Sequence, residues 1–287
     1  MTIAAPVEAS RQDTRKPKAW LYVVLIVGAA LMIYPLLWMI FSSFKPDTEI
    51  FSNSAALPSS WDPVNYIQGW ISTTPSFTRY YLNSFVVCAG AVIGNVLACS
   101  LTAFAFARLE FPFKRALFAI MLLTLMLPAH VVIIPQYIMF ANFGWVDTYL
   151  PLIVPKFLAT DAFFIFMMVQ FIRRIPRELD EAAIIDGCST FQVFVRIVFP
   201  LLQPALITTV IFTFIWTYND FFSQLIYLTS PDNLTVPVGL RSLVDSSGGS
   251  YGQLMAMSVL SLIPTFVVFL AFQRRLVEGI ATTGLKG

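Results

Sequence analysis

The sequence predicts an all-α membrane protein with six spanning helices. Two observations carry that prediction: six long apolar stretches and a low charge content. A third is a single charged, helix-forming island, RELDEAAIIDG at 177–187, set between the fourth and fifth stretches. Of the 287 residues, 57% are hydrophobic, 12% are charged and 27 are Phe. Soluble domains carry about 25% charged residues. Water is therefore not the main solvent of this chain.

A helix needs roughly 20 mostly apolar residues to cross a bilayer. The stretches that qualify are Ala19–Phe44, Tyr80–Ala107, Ala116–Phe140, Pro151–Ile172, Leu201–Leu228 and Leu254–Phe272. The first is too long for a cleaved signal peptide and no small-residue cleavage site follows it, so it is expected to remain as an anchor. Orientation follows from Lys and Arg. Arg11, Arg15, Lys16 and Lys18 precede the first span, and Arg108, Lys114 and Arg115 follow the second. Arg173, Arg174, Arg177 and Arg196 sit between the fourth and fifth, and Arg274, Arg275 and Lys286 follow the sixth. Only Lys45, Arg79, Lys156 and Arg241 lie on or near the other side. Both termini and the island are expected to be cytoplasmic. The expected organisation is a cytoplasmic segment 1–18, a six-helix domain 19–273 with the charged loop at 173–200, and a cytoplasmic tail 274–287.

Between the first two spans an outer loop, from about Lys45 to Arg79, is rich in Ser, Pro, Asn and Trp. Asp62-Pro63 is placed to start a short helix through Tyr66 to Trp70. A second outer loop, SPDNLTVPVGLRSLVDSSGGSYG, has turn-forming pairs and paired glycines. Neither is large enough for a catalytic domain. Cys88 and Cys99 lie eleven residues apart in one helix, about 16 Å along its axis, and cannot bond. With Cys188 they form neither a disulfide framework nor a metal site.

The island reads as helix, turn, helix. Pro176 suits a first turn. Glu178, Asp180 and Glu181 follow where negative charge favours the positive helix end. Leu179, Ala182 and Ala183 fall on one small apolar face. Gly187 stands where a left-handed cap is wanted. Ser189-Thr190-Phe191-Gln192 then matches a capping box. The helix it starts presents Phe191, Phe194, Val195 and Val198 on one face, and Pro200 is expected to end it. A helix resting on lipid headgroups would carry Lys and Arg on its polar face. Three carboxylates and two alanines instead favour a protein dock.

Glu181-Ala182-Ala183, then Gly187, then nine residues, then Ile197-x-x-Pro200 resembles the EAA motif of ABC importer permeases. That motif reads E-A-A-x-x-x-G, nine residues, I-x-L-P. Its Leu position is Phe199 here, which keeps an apolar contact. NSF at 83–85, MLPAHVVIIPQY at 126–137, TSPDNLTVPVGL at 229–240 and the tail RRLVEGIATTGLKG at 274–287 also resemble carbohydrate permeases. The likeness is to the smaller permease subunit of maltose-type and glycerol-phosphate-type importers, and it covers most of the chain. It implies a type I ABC importer transmembrane domain in a bacterial or archaeal cytoplasmic membrane, for a sugar or sugar derivative. It implies that Glu181, Ala182, Ala183, Asp186, Gly187, Ile197 and Pro200 form the coupling site for separate ATP-binding subunits. It also implies a second permease subunit and an extracytoplasmic solute-binding protein, with ATP and Mg bound on the ATPase partners. A P-loop needs a Gly-Lys core, and the sequence contains no Gly-Lys pair. No cofactor, metal or nucleic acid is expected on this chain.

Polar residues inside spans are costly and often functional. Trp216, Asn219, Asp220, Ser223, Gln224 and Tyr227 fall at helical spacing on one stripe of the fifth span. The stripe offers a sugar hydrogen-bonding groups beside an aromatic face. It is equally readable as a polar seam between helices. Asp161 and Lys156 are five residues apart in the fourth span, so on one helix they face different ways. Lys156 is expected to snorkel outward and Asp161 to pair with another helix. His130 is the one histidine, which excludes a histidine metal cluster. Pro128 and Pro135 beside it are expected to kink the third span. Asn95 and Gln136 read as polar contacts between helices.

Three other readings fit less well. An ion-driven carrier calls for inverted repeats and paired half-helices, and neither is visible. A non-sugar solute is the other alternative, because the docking motif is shared among importers of many solutes. A membrane enzyme lacks any nucleophile and base signature.

Overall fold

A computed structural model describes residues 19–52, 57–245 and 249–284, the last eleven as backbone alone. The expected segment 1–18 lies outside them. The described residues are helical, with no strand among them.

Helix α1 (Ala19–Ser42) is apolar throughout and stands outside the bundle, touching α15. The outer loop that follows contains α2 (Asp47–Ser52) and α3 (Val64–Ile71). Asp62 starts α3 as expected, its Oδ1 accepting from Val64 N at 3.0 Å. Asn65 Nδ2 then donates to the carbonyls of Ser43 and Lys45, each at 2.9 Å, and fixes the end of α1 to α3.

Helix α4 (Phe77–Arg108) is the centre of the fold. Asn83, Val87, Ala91, Asn95, Cys99, Ala103 and Ala107 are all buried and recur every fourth residue, which places them on one row of the helix. Small residues let neighbouring backbones come close. A Cβ on Gly90 would stand 2.8 Å from Ile153, and one on Gly94 would stand 2.7 Å from Phe157. Against this row pack α7, α8 and α12.

Three expected spans are broken. The third is divided into α5 (Lys114–Thr124) and α6 (Ala129–Asn142). Pro128 caps the second piece, while Pro135 sits inside it without ending it. The fourth is divided into α7 (Leu150–Phe157) and α8 (Ala162–Ile172), with Ala159 at φ +55 between them. The island supplies α9 (Glu178–Ile185), α10 (Thr190–Val193), a π turn at Phe194–Val198 and α11 (Phe199–Leu201). The fifth span then follows as α12 (Gln203–Tyr218) and α13 (Phe221–Tyr227). The helix from Thr190 continues through Pro200 to Leu201 and bends by 75° into α12. Pro200 therefore does not end it, because a proline is tolerated in the first turn of the short α11.

The second outer loop is more ordered than its turn signals suggest. It holds a 3-10 turn at Pro231–Asn233 and a helix, α14 (Val236–Asp245). Ser84 Oγ accepts from Val236 N at 2.9 Å and so caps α14 from another helix. No local signal could show that cap. The sixth span is α15 (Tyr251–Gly284).

By length and composition Ala19–Ser42, Phe77–Arg108, Leu150–Ile172 and Tyr251–Gln273 are each long and apolar enough to cross a membrane, and the bent pair Thr190–Leu201 with Gln203–Tyr218 is a fifth. The third expected span is present only as two shorter helices.

Candidate functional site: a charged island and a cavity at three helix breaks

The island is built by local rules and strapped to the bundle by an ion pair. Gly187 lies at φ +85. Its N–H donates to Ile184 O at 3.0 Å, and Cys188 N donates to Ala183 O at 2.9 Å. This is the Schellman arrangement that satisfies the last carbonyls of a helix. Ser189 N then donates to Gln192 Oε1 at 2.8 Å, and Gln192 N donates to Ser189 Oγ at 3.4 Å, completing the capping box. Asp180 Oδ2 lies 2.7 Å from Arg108 Nε at the end of α4. Arg108 Nη2 also donates to Ile175 O at 2.7 Å.

The apolar faces differ from the sequence reading. Ala183 is buried against the bundle, whereas Leu179 and Ala182 point outward with Glu181 and Asp186. Ile185 beside them is 85% exposed. In the second half Phe194 and Val198 are buried, but Phe191 and Val195 are exposed. The π turn has a longer repeat than an α-helix, so the four residues no longer share a face. Ile197 and Phe199 pack on the core cluster formed by α4, α8 and α12, and Pro200 is exposed. Leu179, Ile184, Ile185, Phe191 and Val195 of the island are thus apolar and exposed, a composition that suits an interaction surface.

The second site is a cavity of about 580 Å³, adjoined by one of about 510 Å³. All three helix breaks open onto the larger one, through Leu125 and Leu127, Thr160 and Asp161, and Asp220. Non-helical backbone at membrane depth is tolerated where it is buried in protein or lines a water-filled cavity. Lys156 Nζ lies 2.8 Å from Asp161 Oδ2, both on the cavity wall. This overturns the expectation that they face apart and that Lys156 snorkels outward. The chain turns at Ala159, so the spacing of a continuous helix does not apply. Asp161 also pairs with another helix, as expected: Asn95 Nδ2 donates to it and to Thr213 Oγ1 at 3.0 Å, joining α4, α8 and α12.

The six-residue stripe is not one helical face, because the helix breaks at Asn219 and Asp220. Asp220 caps α13, accepting from Ser223 N at 3.0 Å. Asn219 Nδ2 bonds back to Ile215 O at 2.8 Å. Gln224 is buried, donates to Thr217 O at 2.7 Å and accepts from the Thr235 hydroxyl. Trp216, Asp220, Ser223 and Tyr227 nonetheless line the larger cavity, and Asn219 and Gln224 line the smaller. Gln136 completes the wall, 3.5 Å from the Tyr227 hydroxyl. His130 packs edge-on against Phe222 at 4.9 Å. Gln136 and Lys156 are cavity residues that the stripe did not include. Their signal was polarity inside an apolar span, without any indication of the partner.

At the opposite end from the island, Asp147 joins two loops. Its carboxylate accepts from Thr229 N at 2.9 Å, from Ser230 N at 2.8 Å and from the Ser230 hydroxyl. Burial pushes its pKa up, but the hydrogen bonds from Ser230, Thr229 and Asn233 outweigh that and hold it well below the usual carboxylate range. Asn83 grips the same segment, donating to Asp232 O and Leu234 O at 2.8 Å each.

Residues 90–282 match the family described as the binding-protein-dependent transport system inner membrane component. A diacetylchitobiose uptake system permease of Streptomyces coelicolor is 30% identical, covering 95% of this chain and 90% of its own. A trehalose/maltose transport system permease of Thermococcus litoralis is 33% identical, over 92% and 97%. A solved bacterial ABC transporter involved in import of the acidic polysaccharide alginate superposes with a TM-score of 0.79 at 21% identity, over 89% of this chain and 94% of that one. The fold is that of a type I ABC importer transmembrane domain. With the family description spanning both the island and the cavity, and relatives aligned over nearly the whole length, the chain belongs to the family of binding-protein-dependent transport system inner membrane components.

Proposed function

We propose that this chain is one transmembrane half of an ATP-driven importer for a sugar or sugar derivative. A second permease supplies the other half, and an extracytoplasmic binding protein delivers the solute. ATP and Mg bind on separate subunits, which dock on the island. Glu181 anchors that dock beside the outward Ala182, and Asp186, Gly187, Ile197 and Pro200 hold the shape of the loop. Motor closure then moves α9, and through Arg108 and Asp180 it moves the end of α4. The Lys and Arg distribution supports a cytoplasmic island and cytoplasmic termini, and the membrane would be a bacterial or archaeal cytoplasmic membrane.

The observation that carries the proposal is the pairing of an exposed apolar island at one end with a polar cavity built on three helix breaks. Trp216 offers the cavity an aromatic face beside Gln136, Ser223 and Asp220, a combination suited to a neutral polyhydroxylated solute. The relatives named for diacetylchitobiose and for trehalose or maltose point the same way. Lys156 is the one Lys or Arg among the described residues lining the cavity, and Asp161 neutralises it. A strongly anionic non-sugar solute is therefore not favoured, and an ion-driven carrier is not favoured by the family.

The test is purification from the native membrane in mild detergent. An ATPase subunit and a second permease should accompany the wild-type chain, and Glu181→Lys should remain in the membrane without the ATPase. Full ATPase stimulation by a Glu181→Lys complex, or ATP-independent uptake by the lone chain in liposomes, would sink the proposal.

A further inference from the structure

A cavity of about 640 Å³ opens at the island end of the bundle, where α4 and α8 end and α5 and α9 begin. Arg108, Lys114, Arg173, Arg174 and Arg177 line it, against one carboxylate, Glu178. Two of these cations are engaged. Arg108 holds Asp180, and Lys114 lies 3.0 Å from Glu110 Oε1 and donates to Leu109 O. The other three are exposed, and no carboxylate lies within ion-pair distance of them among the described residues. The cavity therefore holds a clear excess of positive charge.

One aromatic ring lines it, Phe106, which meets Phe111 at 5.7 Å and Phe118 at 5.3 Å. The Arg173 guanidinium lies over Phe118, 5.6 Å from the ring centroid. Phe113, one residue before Lys114, is 80% exposed. Cations beside an aromatic cluster, where apolar helices end, match the two parts of a lipid: a phosphate and the start of its acyl chains.

We propose that this cavity binds the phosphate headgroup of an anionic phospholipid. Arg173, Arg174 and Arg177 contact the phosphate, and Phe106, Phe118 and Phe113 contact the chains. Arg177 and Glu178 open α9, so the lipid borders the island directly. The proposal rests on the chain being membrane-embedded and not on the identity of its solute.

The experiment is native mass spectrometry of the full chain, with whatever subunits accompany it, titrated with phosphatidylglycerol or with phosphatidylcholine. Wild type should retain phosphatidylglycerol in preference to phosphatidylcholine. Each cation near an anionic surface contributes on the order of a fivefold change in binding, so Arg173→Gln/Arg174→Gln should bind phosphatidylglycerol roughly 25-fold more weakly. Arg79→Gln at the opposite end should bind as wild type, and Arg177→Gln replaces the double variant if that fails to fold. Undiminished retention by the variants, or equal retention of phosphatidylcholine, overturns the proposal. Displacement of the lipid by inorganic phosphate at the same arginines also overturns it, in favour of a free anion. Loss of lipid retention would leave the ATPase association tested above intact as a separate question, so the two readings fail independently.

Discussion

Arg108 Nε and Asp180 Oδ2 stand 2.7 Å apart with side-chain exposures of 6% and 13%, tying the end of the central helix to the first turn of the island. Both charges are nearly withdrawn from water. Removing one partner leaves the other uncompensated, which costs about 3 kcal/mol or more. Asp180→Asn or Arg108→Ala should therefore lower the melting temperature of the detergent-solubilised protein substantially. The double change Arg108→Met/Asp180→Leu should recover much of the stability, because no orphaned charge remains. It should still impair transport, since the strap between the island and the bundle is gone. Normal transport by the double variant would show that the strap is structural only.

Gly187 makes a narrower prediction. A Cβ there would meet nothing within 4 Å, so space is not the constraint. The constraint is φ +85, where an L side chain costs about 1 kcal/mol or more. Gly187→Ala should lose about that much stability, and Gly187→Asn should lose less, because Asn tolerates the left-handed region better. Chemical denaturation of the purified chain measures both. Equal losses would mean that some other feature of the turn matters.

Lys156 and Asp161 should behave as a unit. Each side chain is 27% exposed, so the pair is partly solvated and loss of one partner should cost about 2 kcal/mol. Asp161→Asn should be worse than Lys156→Met. It strands an ammonium on the cavity wall, whereas Asp161 without Lys156 keeps its hydrogen bond from Asn95. Thermal stability of the two variants decides the order. The reverse ranking would imply that Asp161 depends chiefly on its lysine.

Trp216 separates recognition from assembly. It is half exposed on the cavity wall and packs against Phe163, Phe164 and Phe212. Trp216→Ala should reduce sugar uptake while the subunits still purify together. Gln224→Ala should instead weaken folding, because Gln224 is 2% exposed and bonded to Thr217 and Thr235. Uptake and co-purification measured together distinguish the two outcomes.

Asp147 predicts an acid dependence with a definite sign. Its folded pKa lies below the unfolded value of about 3.9. The stability it contributes is complete above that value and is lost as pH falls below it toward the folded pKa. The difference in melting temperature between wild type and Asp147→Asn should be constant from neutral pH down to about pH 5 and should shrink below about pH 4. A difference that grows on acidification would contradict the hydrogen-bonded carboxylate.

What the sequence by itself determined is local or cumulative. Apolar run length marked the helices, because a bilayer requires length and hydrophobicity and little else. The Gly187 turn, the Ser189 capping box and the start of α3 were legible because each is closed by residues within five positions of one another. The family was legible because its motif lies in one contiguous loop. What only the tertiary structure decided is where the spans break and what meets at the breaks. A break at Asn219 leaves the apolar count of the fifth span unchanged, yet it leaves Tyr227 on one cavity, Asn219 and Gln224 on another, and Trp216, Asp220 and Ser223 on both. The partners of Asp161, Asp180 and Asp147 sit on other segments, on Asn95, Arg108 and Ser230. α14 was read as loop because its cap, Ser84, is 152 residues away. In each case the energy comes from two chemically matched groups brought together by tertiary packing, and the spacing of residues along one segment carries no information about the other.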